Sequence, residues 1–272
     1  MSISYITKRV IKTLLGFALG RKIWQPFWVS LYRLSLNGMH IGPAGELAVS
    51  GERNVLNYIK KKYTKLTEVI VFDVGANKGD YSVLTNKILK DRAKIYAFEP
   101  AKITYERMTE NTKDMKNIER YNLGFSDKDI YATLYYETEG SGLASIYKRN
   151  LEYLNVSLDK KETITLHTLD GFCKEKNIPK IHLLKLDIEG GELLALNGAK
   201  NKIDSGGIDY IQFEFGGCNI DSRTYFQDFW YLLSAQYRFY RIIKDGIYEI
   251  KKYSELNECF LTTNFLAERK VL

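Results

Sequence analysis

Asp73, Glu99, Asp187 and Glu214 each stand at or near the end of a short apolar run. Open α/β sheets bind their ligands at that place, outside the carboxyl ends of the strands. The first run is embedded in VFDVGANKGDYS, Val71 to Ser82. Val69, Ile70, Val71 and Phe72 lead into Asp73, and Gly75 and Gly79 mark a tight turn. Tyr81, Val83, Leu84 and Ile88 then recur at helical spacing, so the segment reads as strand, turn, helix. A second strand, IYAFEP, brings Glu99 beside that turn. A glycine turn lets a ligand approach the backbone, and an acid at the next strand end accepts hydrogen bonds from ribose hydroxyls.

A dinucleotide fingerprint needs G-x-G-x-x-G, whose middle glycine allows the backbone to approach a pyrophosphate. Here Gly75 is followed by Ala76 and Asn77, and an acid, Asp73, stands two residues before it. A carboxylate there repels pyrophosphate and attracts a cationic amino group. S-adenosylmethionine carries an amino group, a sulfonium and a ribose, and no phosphate. Asp73, the Gly75–Gly79 turn and Glu99 therefore favour it over NAD.

The second loaded run is LLKLDIEGGELLALNGA, Leu183 to Ala199. A buried strand ends at Asp187, and Glu189, Gly190, Gly191 and Glu192 turn into a helix. Asp187 and Glu189 are expected to share a crevice with Asp73 and Glu99, and QFEF, Gln212 to Phe215, brings Glu214 to the end of the next strand. Glu192 reads as a first-turn helix acid favoured by the helix dipole. His182 begins a buried strand and reads as structural.

These residues need a parallel sheet to hold them. Strands over 69–73, 94–98, 118–123, 181–186 and 209–215 alternate with helices over 80–90, 102–115, 168–176 and 191–200. That is the pattern of a parallel sheet covered on both faces. A helix over 52–63 precedes them. Strands near 133–136 and 163–166 interrupt the rhythm, with the GSGLAS loop, Gly140 to Ser145, between them. A helix near 224–234 and strands near 237–243, 247–252 and 260–266 predict an antiparallel C-terminal edge. Cys173, Cys218 and Cys259 are far apart, follow no metal spacing, and fit a reducing cytoplasm.

The formal charge of +7 is uneven: no acid precedes Glu46, whereas Lys8, Arg9, Lys12, Arg21, Lys22 and Arg33 do. Ile3, Ile6, Val10, Leu14 and Phe17 make a basic amphipathic helix, and Trp24 to Leu34 form a second apolar stretch. Neither reaches the roughly 18 apolar residues of a membrane span. Residues 1–45 are thus expected as a basic helical extension and 46–272 as the catalytic domain. Two readings of the extension stand: residues 1–36 attach to the anionic inner face of a membrane, or they pack as a helical pair on the domain or its twin. Beyond them, acids and bases are interspersed and no nucleic-acid surface is indicated.

Together VFDVGANKGDYS, AFEP, NLGFSD, TLD and LLKLDIEGGELLALNGA resemble the FkbM family of S-adenosylmethionine-dependent methyltransferases, from about Glu52 to the C-terminus. The resemblance implies a Rossmann-like class I methyltransferase fold and O-methylation of a hydroxyl on a sugar, glycan, lipid-linked or related metabolite. It places Asp73, Gly75, Asn77, Gly79 and Ser82 around the methionine part of the donor and Glu99 on its ribose. Asn122, Leu123, Gly124 and Ser126 flank adenine, and Asp187 touches the donor as well. Removing the hydroxyl proton calls for a base, and Asp187, Glu189, Glu214 and His167 are the candidates, the first two foremost. The acids could instead hold a divalent ion, but no third ligand stands at telling spacing, so no metal ligand is assigned. GSGLAS with Tyr131, Tyr135, Tyr136 and Tyr147 is expected near the acceptor, although surface tyrosine is the plainer reading in a chain with twenty. The competing functions are an NAD-dependent oxidoreductase or sugar-nucleotide enzyme, and a non-catalytic binding module on the same fold.

Overall fold

A computed structural model describes residues 13, 15–42 and 50–270. The elements begin with α1 (Gln25–Gly38) and α2 (Glu52–Lys62). Then come β1 (Val69–Val74), α3 (Asp80–Leu89), β2 (Ala93–Phe98), α4 (Lys102–Thr112) and β3 (Ile118–Tyr121). The middle of the chain holds β4 (Gly124–Phe125), β5 (Ile130–Tyr136), β6 (Lys160–His167) and α5 (Leu169–Glu175). It continues through β7 (Ile181–Leu186), α6 (Glu192–Asn197), α7 (Lys200–Asp204), β8 (Ile208–Phe215), α8 (Cys218–Ser222) and α9 (Phe226–Leu233). The last strands are β9 (Tyr237–Ile243), β10 (Gly246–Ile250) and β11 (Thr263–Arg269).

Eight strands form one sheet in the order β10-β9-β11-β8-β7-β1-β2-β3. The run β8-β7-β1-β2-β3 is parallel, and β11, β9 and β10 continue it antiparallel, as the sequence predicts. Apolar side chains of α2, α3 and α4 (Leu56, Ile59, Leu84, Ile88, Met108) cover one face. Those of α5, α6 and α9 (Leu169, Phe172, Leu196, Phe229, Leu233) cover the other. Burial on both faces explains why the central strands read as unbroken apolar runs.

Register places a polar row inside this core. Asp73 of β1 pairs with Lys185 of β7, which pairs with Gln212 of β8, so the three side chains share one face at one level. Gln212 Nε2 donates to Glu52 Oε1 at 2.8 Å, and the Tyr81 hydroxyl donates to Gln212 Oε1 at 3.2 Å. The row lies just below the carboxyl ends of the strands.

Of the boundaries that differ from the sequence reading, three change an element's extent or partner most. The strand expected over 118–123 stops at Tyr121, because the Asn122 amide donates to the carbonyls of Glu99 and Pro100, each at 2.9 Å, and turns the chain. Gly124 and Phe125 then pair with β6 in a separate three-stranded sheet, β4-β6-β5. The helix expected over 191–200 divides at Gly198, where a Cβ would stand 2.0 Å from the Ser126 carbonyl oxygen. The strand expected over 260–266 begins instead at Thr263. The proposed boundary at residues 45/46 and most of the amphipathic stretch from Ile3 to Phe17 lie outside the described residues.

Candidate active site

The Gly75–Gly79 turn lies where β1 meets the end of β7. Gly75 has φ +80°, and a Cβ there would fall 1.9 Å from the Asp187 carbonyl oxygen, so only glycine lets the two motifs close on each other. The backbone N–H of Asn77 donates to Glu99 Oε2 at 3.0 Å, and that of Ala101 donates to Glu99 Oε1 at 2.9 Å. Burial pushes the Glu99 carboxyl up to about 7 against the pull of those two N–H groups.

Above this turn is a chamber of about 880 Å³ of empty volume. Ile103, Phe125, Leu134, Ile146, Ile164 and Leu166 give it apolar walls. Glu99, Glu139, Glu162, Asp187 and Glu189 line it, and among the described residues no lysine, arginine or histidine does. A polar cleft of about 1680 Å³ adjoins it, walled by Glu52, Asp80, Arg149, Lys185, Glu214 and Asn264 among others. The two spaces share Gly75, Asn77, Gly140, Gly142, Asp187 and Glu189. A group passed from one to the other must cross beside Asp187 and Glu189.

The carboxylates at that junction differ. Asp187 has a side chain 40% exposed, and Lys185 Nζ donates to its Oδ2 at 3.0 Å. Burial alone would strip the Lys185 ammonium, but Asp187, Asp73 and Glu52 hold it charged and raise its pKa. Glu189 sits at φ +51°, a left-handed backbone that costs a non-glycine residue about 1 kcal/mol. The Arg149 guanidinium clamps its side chain, and Ser145 Oγ donates to its carbonyl at 2.7 Å. Burial, reinforced by the Asp187 charge, pushes its carboxyl up to about 8, with Arg149 opposing. Burial also raises Glu214 strongly, with Asp187 and Glu189 adding to it. Glu192 is fully buried and accepts from the Ile188 and Gly190 N–H groups at 2.9 and 3.0 Å, which sets the turn.

A model of the methyltransferase FkbM domain matches residues 73–239. The chain belongs to the FkbM methyltransferase family. The match is narrower than the Glu52–C-terminus span read from the sequence: α2 and the cleft wall at Phe260–Asn264 lie outside it. A hexuronic acid methyltransferase, AglP, of Haloferax volcanii is 27% identical over 169 residues, covering 61% of this chain and 64% of AglP. The 2-O-methyltransferase NoeI of Sinorhizobium fredii is 22% identical over 181 residues, covering 63% of this chain and 71% of NoeI. A solved FkbM methyltransferase from Methylobacillus flagellatus aligns with TM-score 0.46 at 15% identity, over 74% of this chain and 44% of that one. The chain thus spans under two thirds of AglP's length and under half of that solved chain.

Several expected site residues lie elsewhere in this FkbM domain. Asp73 is fully buried beneath the turn and is absent from both walls. Its Oδ2 accepts from Ser82 Oγ at 2.7 Å, and its Oδ1 lies 3.7 Å from Lys185 Nζ. Asp73 and Ser82 therefore brace the junction from below. Gly79 caps α3 outside the chamber lining. Of the residues expected around adenine, Gly124 lines the chamber. Asn122 holds the loop backbone, and Ser126 is buried with its hydroxyl on Asp127 at 3.1 Å. His167, expected among the bases, stands at the end of β6, 40% exposed and 3.6 Å from Asp129, and lines neither space. His182 is structural, its Nδ1 accepting from the Ile70 N–H at 2.9 Å.

The GSGLAS loop lies over both spaces. Of the tyrosines expected with it, Tyr136 lines the chamber, whereas Tyr131 is 75% exposed. Arg149, Lys185, Glu52 and Cys218 were not legible as site residues. Arg149 lies in an irregular segment, and Lys185 looks like one more strand position. Cys218 is buried, with its thiol beside two of the site's carboxylates. Ligand atoms of Glu189, Glu214 and Cys218 all lie within 4.8 Å of one another, which supplies the third neighbour that spacing concealed.

Proposed function

We propose that this chain transfers a methyl group from S-adenosylmethionine to a hydroxyl of a saccharide. One observation carries the donor assignment. The chamber presents carboxylates and no cationic side chain, which suits a ligand bearing a sulfonium and an ammonium and disfavours a pyrophosphate. Its apolar walls suit adenine, Glu99 at its edge suits ribose hydroxyls, and the glycine turn at Gly75 and Asn77 borders the place left for the methionine end. When bound, the donor supplies a methyl carbon already activated by its sulfonium.

The chain's own residues then position the acceptor and take its proton. Asp187 is the favoured base, because it faces both spaces and Lys185 fixes its orientation. Glu189 is clamped by Arg149, while burial and the Asp187 charge raise its carboxyl toward the uncharged form. In that form Glu189 can donate a hydrogen bond to the acceptor. Glu214, raised by burial in the same direction, can do so from the cleft side. The acceptor class is supported by the polar groups of the cleft wall, by AglP's name as a hexuronic acid methyltransferase and by NoeI's as a 2-O-methyltransferase.

A second reading has one specific observation behind it. Glu189, Glu214 and Cys218 could hold a divalent ion that acidifies the hydroxyl. Arg149 already occupies the Glu189 carboxyl, so the metal-free path is preferred, and activity is expected to survive a chelator. Transfer of labelled methyl from the donor to a panel of uronic-acid and neutral-sugar acceptors tests the acceptor class. Donor binding without label in any saccharide would overturn it.

A further inference from the structure

Outside the FkbM match, the segment before Gly42 exposes an apolar surface that the transfer reaction does not use. Helix α1 buries only Leu36. Ile23 is 83% exposed and Leu34 66%, and Phe27 and Leu31 are also exposed. These four are spaced four, four and three residues apart, so they form one stripe along the helix. Phe17, Trp24, Phe27 and Trp28 brace one another edge to face, with ring centroids 5.1 to 6.0 Å apart. Contiguous exposed apolar surface of this kind marks an interaction site.

Charge selects the occupant. Arg21, Lys22 and Arg33 flank the stripe and are exposed, and the sequence holds no acid before Glu46. A second copy docking on this face would bring cations against cations with no carboxylate of the segment to answer them. An anionic bilayer answers both features: its headgroups pair with the cations, and its acyl boundary takes the apolar stripe, with tryptophans at the interface. No helix among the described residues is long and apolar enough to cross a membrane, so the contact is peripheral.

The surface also adjoins the cleft. The chain leaves α1 through Ile41 to Gly42, whose N–H donates to the Thr262 carbonyl at 3.1 Å, and Gly42 and Thr262 both line the cleft. Leu154 and Leu261, on the same cleft wall, are exposed. We propose that α1 and the turn before it dock on an anionic lipid bilayer and set the cleft mouth toward a lipid-borne saccharide. The acceptor half of this statement rests on the methyltransferase reading; the docking half does not.

Flotation of the full chain with vesicles tests it, using phosphatidylcholine alone and phosphatidylcholine doped with phosphatidylglycerol. The protein is expected to float with the anionic vesicles, to float far less with the neutral ones, and to be partly released by high salt. The triple substitution Ile23→Ser, Leu31→Ser, Leu34→Ser should reduce flotation at least about tenfold. It should leave calorimetric binding of S-adenosylhomocysteine unchanged, which shows the domain folded and separates this test from that of the donor site. A wild-type chain that stays with neither vesicle would overturn docking. So would a triple variant that floats equally well, or sedimentation showing that the stripe closes a dimer in place of binding lipid.

Discussion

At the scale of single residues, the account divides the carboxylates by what holds them. Asp187→Asn should lower kcat by about 10²–10⁴-fold while calorimetric donor binding persists. Glu189→Gln should cost less, because burial already favours the uncharged form of its carboxyl, which Gln imitates. Lys185→Met should leave Asp73 and Asp187 without their buried cation and cost about 3–5 kcal/mol of stability, measured by denaturant unfolding. Glu99 gives a pH signature. Ribose hydroxyls donate to its ionised form, and burial holds that carboxyl near 7, so donor affinity should fall as pH drops below about 7, by up to tenfold per unit. Calorimetry across that range measures it. Residues that announced themselves, Gly75, Glu99, Asp187 and Glu189, did so because turn glycines and strand-end acids have fixed spacing. Asp73 was legible as a strand-end acid but not as the buried register partner of Lys185, because spacing alone does not show which strand lies beside β1.

Among the elements, the motif-bearing strands were legible and the connections were not. Parallel strands buried on both faces announce themselves as apolar runs, so β1, β2, β7 and β8 follow from sequence. The fragment Gly124–Phe125 was hidden because a side-chain hydrogen bond from Asn122, not a glycine or proline, turns the chain there. The segment between β5 and β6 looks like a loop near the acceptor. Its folding adds something composition cannot state: Ser145 and Arg149 grip Glu189 from a separate part of the chain. Arg149→Met should therefore release the Glu189 side chain and lower turnover more than donor affinity, readable as a fall in kcat with donor binding kept. Gly75→Ala should do the opposite. It forces β1's turn off the Asp187 carbonyl, so donor binding and thermal stability fall together.

For the whole molecule, the buried acids make stability depend on pH. Glu99 and Glu192 near 7 and Glu189 near 8 lie above their ordinary value of 4.5 in the folded chain. Folding then favours their protonated forms. The stability they contribute is full below about pH 4.5 and is lost as pH rises through about 7 to 8. The thermal midpoint of the ligand-free protein should decline across that window, with saturating donor restoring part of it. On these proposals the acidic chamber, the polar cleft and the basic apolar segment before Gly42 have separate tasks: to hold a cationic donor, to admit a polar acceptor and to meet a surface. The first of these supports the rest. Calorimetric titration of the ligand-free protein with S-adenosylhomocysteine and with NAD tests it most directly, repeated on Glu99→Gln. The account predicts micromolar-range binding of the first ligand, weakened by that substitution, and no saturable binding of NAD. Tight binding of NAD, or S-adenosylhomocysteine bound equally well by Glu99→Gln, would contradict it.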